Sequence, residues 1–165
     1  VWSQLKKNTE FLRQFAAVIA PDFSTYVGMP RAMQIWNVWR TNFVAWWWQN
    51  AGLKVIANSQ WSDKQSYDYS FNVLPQGGCI AVSIKGCVAD DNRAQKQESF
   101  VEVKSRFKQG FEAMVQIAQP SQILWFGYEP KWLIKFAKQN PEIQILHIKQ
   151  RKLYQERLDR KKGEH

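Results

Sequence analysis

Four short apolar runs recur along the chain, at residues 53–58 (LKVIAN), 79–84 (CIAVSI), 121–126 (SQILWF) and 143–148 (IQILHI), with a helix expected between successive runs. Runs of this length that follow helices read as buried strands. Strands alternating with helices predict an α/β fold with a mainly parallel sheet and right-handed crossovers. Four strands, with a fifth extended segment at 22–26, suit either a half-barrel or an open doubly wound sheet. The rival pairing makes 69–74 and 79–84 a hairpin across the turn Pro75, Gln76, Gly77, Gly78. At 165 residues the chain is one domain's worth, read as a single α/β domain over 1–148 and a basic C-terminal tail or helix over 149–165.

Periodicity supplies the helices. Leu5, Phe11, Leu12, Phe15, Ala16 and Ile19 predict an amphipathic helix over 3–19 that ends at Pro21. Pro30 suits the first turn of a strong helix that Gly52 would cap. Along it Met33, Trp36, Trp39, Phe43, Trp46 and Trp47 step by three or four and form one stripe, expected to be core. Trp48 falls off that stripe and is expected to be the exposed contact. Any part of the stripe left bare would serve as an oligomer interface. Ser62 and Gln65 resemble a capping box for a short helix over 66–74. Residues 88–99 are polar and charged and read as a surface loop. Val103, Phe107, Phe111, Met114, Val115 and Ala118 share one face of a helix over 100–118, and Pro130 opens another through Gln139.

Residues 29–51 are the most apolar stretch, yet Arg31, Gln34, Asn37, Arg40, Asn42, Gln49 and Asn50 interrupt it, so it reads as a soluble helix and not a membrane span. No secretory signal pattern is visible. Two cysteines are too few for a disulfide framework, and the expected compartment is the cytoplasm. The net charge is +9, of which +4 falls in residues 149–165, carried by Lys149, Arg151, Lys152, Arg157, Arg160, Lys161 and Lys162. A basic tail of this kind is a candidate arm for nucleic acid, held by salt-sensitive phosphate contacts.

In parallel α/β folds ligands meet residues just beyond the carboxyl ends of the strands. The positions so placed are Asp22, Ser24, Asn58, Ser59, Gln60, Trp61, Ser62, Asp63, Lys85, Gly86, Cys87, Gly127, Tyr128 and Glu129. They form a candidate rim for a phosphate-bearing or nucleotide-like ligand. Metal ligation is not expected: His147 lies in a predicted strand, His165 is terminal, and Cys79 and Cys87 lack zinc-site spacing. Asp22, Asp63 and Asp68 are the carboxylates available to a magnesium ion, and a cysteine nucleophile would need His147 close by as its base. The chain has no GxGxxG after a strand, no GxxxxGK[ST], no HExxH and no GxSxG. Dinucleotide oxidoreductases, P-loop NTPases, zinc proteases and serine hydrolases of the usual kind are thereby disfavoured, and no cofactor is expected.

An ordered set of short motifs adds a resemblance: Asp22-Phe23-Ser24 with Met29-Pro30, Gln34-Ile35-Trp36-Asn37, Gly52 through Ile56, Trp61-Ser62-Asp63, Phe71, Leu74-Pro75 and Gly86-Cys87. The set resembles a family known as a domain of unknown function (number four-four-one-seven), found in bacteria, their phages and other mobile elements. It covers about residues 20 to 130. The resemblance implies a small cytoplasmic α/β protein of phage or mobile-element origin and assigns no catalytic residue. Three functions follow. The first is an accessory protein that associates with nucleic acid through basic and aromatic residues. The second is a small enzyme or ligand-binding domain at the rim, and the third an effector that binds a host protein.

Overall fold

The computed structural model describes residues 2–85 and 100–148. A 3-10 turn (Trp2–Gln4) leads into α1 (Leu5–Leu12), followed by β1 (Val18–Ile19), α2 (Arg31–Asn50) and β2 (Val55–Ser59). A second 3-10 turn (Lys64–Ser66) and α3 (Tyr67–Phe71) lead to β3 (Cys79–Ser83), then α4 (Phe100–Ala118), β4 (Gln122–Phe126), α5 (Lys131–Gln139) and β5 (Gln144–Ile148). The five strands form one sheet in the order β1-β2-β3-β4-β5, and every neighbouring pair is parallel. The fold is α/β with a parallel sheet. Its order runs without reversal, which is the winding of a half-barrel; a doubly wound sheet would turn back on itself. The 69–84 region is α3 and a parallel strand, and no hairpin forms there.

Register shows where the core lies. Ala57, Ile80, Ile123 and Ile145 stand in one row, and Ser59, Val82, Trp125 and His147 in the next row on the same face. All strand side chains in the two hydrophobic clusters belong to this face. In the larger cluster Ile80, Val82, Ile84, Ile123 and Trp125 meet Phe71 and Leu74, then Phe107, Phe111, Met114 and Ala118 of α4, and Leu133 of α5. In the smaller, Val18 and Val55 meet Val44 and Trp48 of α2. The opposite face carries Asn58, Cys79, Ala81, Ser83, Leu124, Phe126 and Leu146, none of which belongs to either cluster. A sheet that grows in one direction through right-handed crossovers puts successive helices on one face, as seen here.

Several elements differ from their sequence expectation. The first helix stops at Leu12, because Val18 and Ile19 pair with Val55 and Ile56 and the Val18 and Ala20 amides donate to the Lys54 and Ile56 carbonyls. The extra strand is therefore Val18–Ile19, and 22–26 is the loop that follows it. Asp63, not Ser62, caps the turn before α3, its carboxylate accepting from the Gln65 amide at 2.9 Å. The helices Arg31–Asn50, Phe100–Ala118 and Lys131–Gln139 and the four later strands fall where periodicity put them.

The largest correction concerns α2. Its buried residues are Gln34, Asn37, Val38, Thr41, Val44 and Trp48. Trp48 is only 3% exposed, while Trp36, Trp39 and Trp46 are 50%, 47% and 55% exposed. The helix turns its mixed polar face inward and its aromatic stripe outward, the reverse of the expectation from hydropathy.

On α4, Gly110 lies under the Trp61 ring. A Cβ at this position would come within 2.0 Å of Trp61 Nε1. Alanine would gain about 1 kcal/mol in helix propensity, but it would drive the helix off a ring wedged between Phe71 and Phe107. Gly110→Ala is expected to lower stability by about 1–2 kcal/mol net, read as a lower urea midpoint with an unchanged slope.

Candidate functional site

Helix α2 runs antiparallel to the strands it connects, so its first half lies beside the carboxyl ends of β1 and β2. Polar side chains facing inward at that level can reach the loops leaving the strands, and they do. Gln34 Oε1 accepts from Ser62 Oγ at 2.6 Å and from the Tyr69 hydroxyl at 2.9 Å, while its Nε2 donates to the Met29 carbonyl at 2.8 Å. Asn37 Nδ2 donates to the Ser24 carbonyl at 2.8 Å. With the Gln60 amide oriented by its hydrogen bonds, its nitrogen donates to Asp22 Oδ1 at 2.9 Å and its oxygen accepts from Thr41 Oγ1 at 3.2 Å. Arg40 donates to Asn37 Oδ1, and its guanidinium lies 4.2 Å from the centre of the Phe23 ring.

This corner gathers Asp22, Ser24, Gln60 and Ser62 from the predicted rim, and the residues that join them (Gln34, Asn37, Arg40, Thr41) come from α2, whose aromatic stripe predicts only packing. The signal was present: Gln34, Asn37 and Thr41 repeat at i, i+3 and i+7, a polar stripe of helical period inside an apolar helix. Asp22 is solvent-exposed as a residue, yet burial of its carboxyl group raises its pKa, outweighing the Ser24 hydrogen bond that lowers it.

The rest of the rim does not converge on this corner. Trp61 is a core residue, 4.9 Å from Phe107 and 5.7 Å from Phe71 between ring centres. Asp63 is occupied as a cap. Asn58 belongs to the opposite face of the sheet, level with Ala81. Gly127 and Tyr128 sit beyond β4, two or three strands away, about 10–15 Å at the usual strand spacing. There the Gly127 carbonyl meets His147 Nε2 and the Tyr128 carbonyl accepts from Trp125 Nε1 at 2.9 Å. Gly86 and Cys87 lie outside the described residues, as do Lys149, Arg151, Lys152, Arg157, Arg160, Lys161 and Lys162.

The candidate metal and nucleophile pairs are also separated. Asp68 forms an ion pair with Arg31 at 2.7 Å, and that hydrogen bond lowers its pKa. Among the described residues no three His, Cys, Asp or Glu side chains come together. Cys79 and His147 project from opposite faces of the sheet, and burial raises the Cys79 thiol.

The second prominent surface is the outer face of α2. Trp36 and Trp39 are stacked with centres 5.0 Å apart and planes 10° apart. Trp39 and Phe43 stack at 5.1 Å, and Phe43 leans on Trp46 at 5.8 Å. Trp2 abuts this ladder edge-on, 5.6–6.0 Å from Trp36, Trp39 and Phe43. Cations alone represent charge on this helix, in Arg31 and Arg40.

Fold and site together define a small, singly wound parallel α/β protein with a polar corner at two strand ends and an exposed aromatic ridge. No helix among the described residues is long and apolar enough to cross a membrane. The chain belongs to the family described as Domain of unknown function (DUF4417), whose model matches residues 1–145. It is similar to the Gene 1 protein of Mycobacterium phage L5, 29% identical over 126 residues that make up 76% of this chain and 51% of that protein. It is also similar to the Gene 1 protein of Mycobacterium phage D29, 28% identical over 127 residues, 77% of this chain and 43% of that protein. The chain thus spans about half the length of the curated relatives it matches. No solved structure matches it.

Two measurements test this geometry. Gln34→Leu leaves the Ser62 and Tyr69 hydroxyls without their acceptor and should cost about 2–3 kcal/mol. Trp36→Gln, on the outer face, should cost under about 1.5 kcal/mol, the order of a ring-stacking term. Urea unfolding that ranked the two the other way would mean α2 is turned round. For Asp22, a raised folded pKa means the fold disfavours the ionised carboxylate. The stability due to protonated Asp22 is full below the ordinary carboxylate range and is lost as pH rises through the raised value. Asp22→Asn should therefore raise the Tm at pH 7 relative to the parent protein, with the difference shrinking toward pH 3.

Proposed function

We propose that this protein is a phage or mobile-element accessory protein that associates with nucleic acid in the bacterial cytoplasm, held mainly by phosphate contacts. The observation that carries this reading is an unneutralised stripe on α5. Lys131, Lys135 and Lys138 recur at i, i+4 and i+7, all exposed, on a helix without an acidic residue. Among the described residues no ion pair engages them. The chain carries 23 basic and 14 acidic residues, and +5 of its +9 precedes residue 149, so more than half of the excess lies outside the tail. Lys131 opens the helix at the end of the sheet where β5 finishes with Ile148.

Exposed cations at this density bind a polyanion by releasing its counterions, which makes affinity fall steeply with salt and leaves sequence unread. The aromatic ridge of α2 contributes less to this reading than its composition promised. Bases stack on free ring faces, and here the rings already cover one another.

Fluorescence anisotropy with labelled single-stranded and duplex DNA and RNA, titrated from low to moderate salt, tests the proposal. Binding with a steep salt slope is expected. Changing Lys131, Lys135 and Lys138 together to Gln should reduce that slope by about two to three, at roughly 0.7–0.9 per phosphate contact. Deleting 149–165 should remove most of the remainder. Absence of binding at low salt would retire the nucleic-acid reading.

A further inference from the structure

The strand-end corner holds more hydrogen-bonding capacity than its own contacts use. Thr25 Oγ1, Arg40 Nε and Ser59 Oγ are buried atoms without a hydrogen-bond partner. Each belongs to a segment already tied into the corner. Thr25 follows Ser24, whose carbonyl takes the Asn37 amide; Ser59 precedes Gln60, which bonds Asp22 and Thr41; and Arg40 bonds Asn37 itself. Ser59 is only 6% exposed and ends β2 level with Val82, on the face that carries the helices, so its hydroxyl points into the helix layer. A buried polar group without a partner is costly, and folded proteins keep few of them. Three in one corner, all able to donate, call for an acceptor.

Arg40 indicates the charge of that acceptor. Arg13 pairs with Glu10 and Arg31 with Asp68, but among the described residues no carboxylate pairs with Arg40. Its partners are the neutral Asn37 amide oxygen and the Phe23 ring, so a half-buried guanidinium is left without a counter-charge. Charges held away from water are ordinarily paired. The three donors stand on the loop after β1, the end of β2 and α2, a three-sided set that suits a tetrahedral oxyanion better than a planar carboxylate. Asp22 and Ser24 are exposed residues, so the corner opens to solvent beside the loop 22–26.

We infer that this corner binds the phosphate group of a small ligand, with Arg40 as its counter-charge and the Ser59 and Thr25 hydroxyls as further donors. Its place, at the carboxyl ends of parallel strands, is where such folds receive phosphates. Phe23 is already engaged by Arg40 and, edge-on at 6.2 Å, by Trp2, so the group recognised is the phosphate and not a base. Asp22 opposes the anion, since Gln60 holds its carboxylate in the same network. The site lies under α2 in the smaller cluster and α5 packs in the larger, so the inference does not depend on the nucleic-acid reading.

The full chain is titrated with inorganic phosphate, adenosine 5′-monophosphate and adenosine, by calorimetry and thermal shift, against potassium chloride at equal ionic strength. Saturable binding of a phosphate-bearing ligand is expected, with a Tm that rises with its concentration. A monophosphate that binds more tightly than inorganic phosphate assigns the site to a phosphate monoester; one that does not assigns it to free phosphate. Arg40→Gln should weaken binding at least about tenfold, the loss of a charged hydrogen-bonding partner. Ser59→Ala should weaken it about three- to tenfold while leaving the Tm of the free protein unchanged or higher, because the fold alone does not use that hydroxyl. Asp22→Asn should tighten binding, and changing Lys131, Lys135 and Lys138 together to Gln should leave it unaltered. The inference is overturned if neither phosphate-bearing ligand saturates, if chloride stabilises equally, or if adenosine binds as tightly as its monophosphate. It is equally overturned if Ser59→Ala lowers the Tm of the free protein, if Arg40→Gln or Asp22→Asn leaves the affinity unchanged, or if the lysine variant loses binding. Should Arg40→Gln fail to fold, Ser59→Ala and Asp22→Asn carry the decision.

Discussion

Everything in this molecule follows from a sheet whose parallel strands add in chain order. Each crossover must carry the chain from the carboxyl end of one strand back to the amino end of the next, and right-handedness sends every crossover over the same face. Helices α2 to α5 therefore compete for one surface. They share it by position along the sheet, α2 over β1 and β2, with α3, α4 and α5 over β3 and β4. Trp125 at the centre is fully buried, touched by Phe107, Phe111 and Trp132. Among the described residues the other face gains no helix, and its side chains are a mixture of small, polar and apolar groups.

That constraint also explains the orientation of α2. A helix running antiparallel over the first two strands has its amino-terminal half over their carboxyl ends, where loops present unpaired carbonyls and hydroxyls. Burying apolar rings there would leave these groups unsatisfied, at a cost of about 1–3 kcal/mol each. Gln34, Asn37 and Thr41 satisfy them, and lower down the helix Val44 and Trp48 meet Val18 and Val55. The inner face is thus polar at one end and apolar at the other. Since one face is committed to the sheet in this way, the tryptophan stripe has only the outside left. The aromatic ridge is a consequence of polar satisfaction at the strand ends.

The parallel topology was legible because apolar runs of strand length alternate with helical periods, and both signals are local. The rim was legible only in part. Asp22, Ser24, Gln60 and Ser62 do meet, but Trp61 is drawn into the core by Phe71 and Phe107, and Gly127 with Tyr128 is two or three strands away. A list of residues following strands cannot separate those that converge from those that do not, because strand order sets the distances between them. The Ser62 cap was misassigned by one residue for a related reason: Asp63 caps locally, while Ser62 reaches 28 positions back to Gln34.

By itself the sequence determined the helices α2, α4 and α5 and the strands β2 to β5, the family to which the chain belongs, and an excess of positive charge. Each rests on patterns of neighbouring residues or on simple counting. Tertiary structure alone decided which face of α2 is inside. The bonds that hold Gln34, Asn37 and Thr41 inward come from Ser62, Tyr69, Ser24 and Gln60, at separations of 28, 35, 13 and 19 residues. Hydropathy counts a glutamine or an asparagine as a residue for water. A hydrogen-bonding partner supplied from a distant loop reverses that preference, and only the folded chain supplies one.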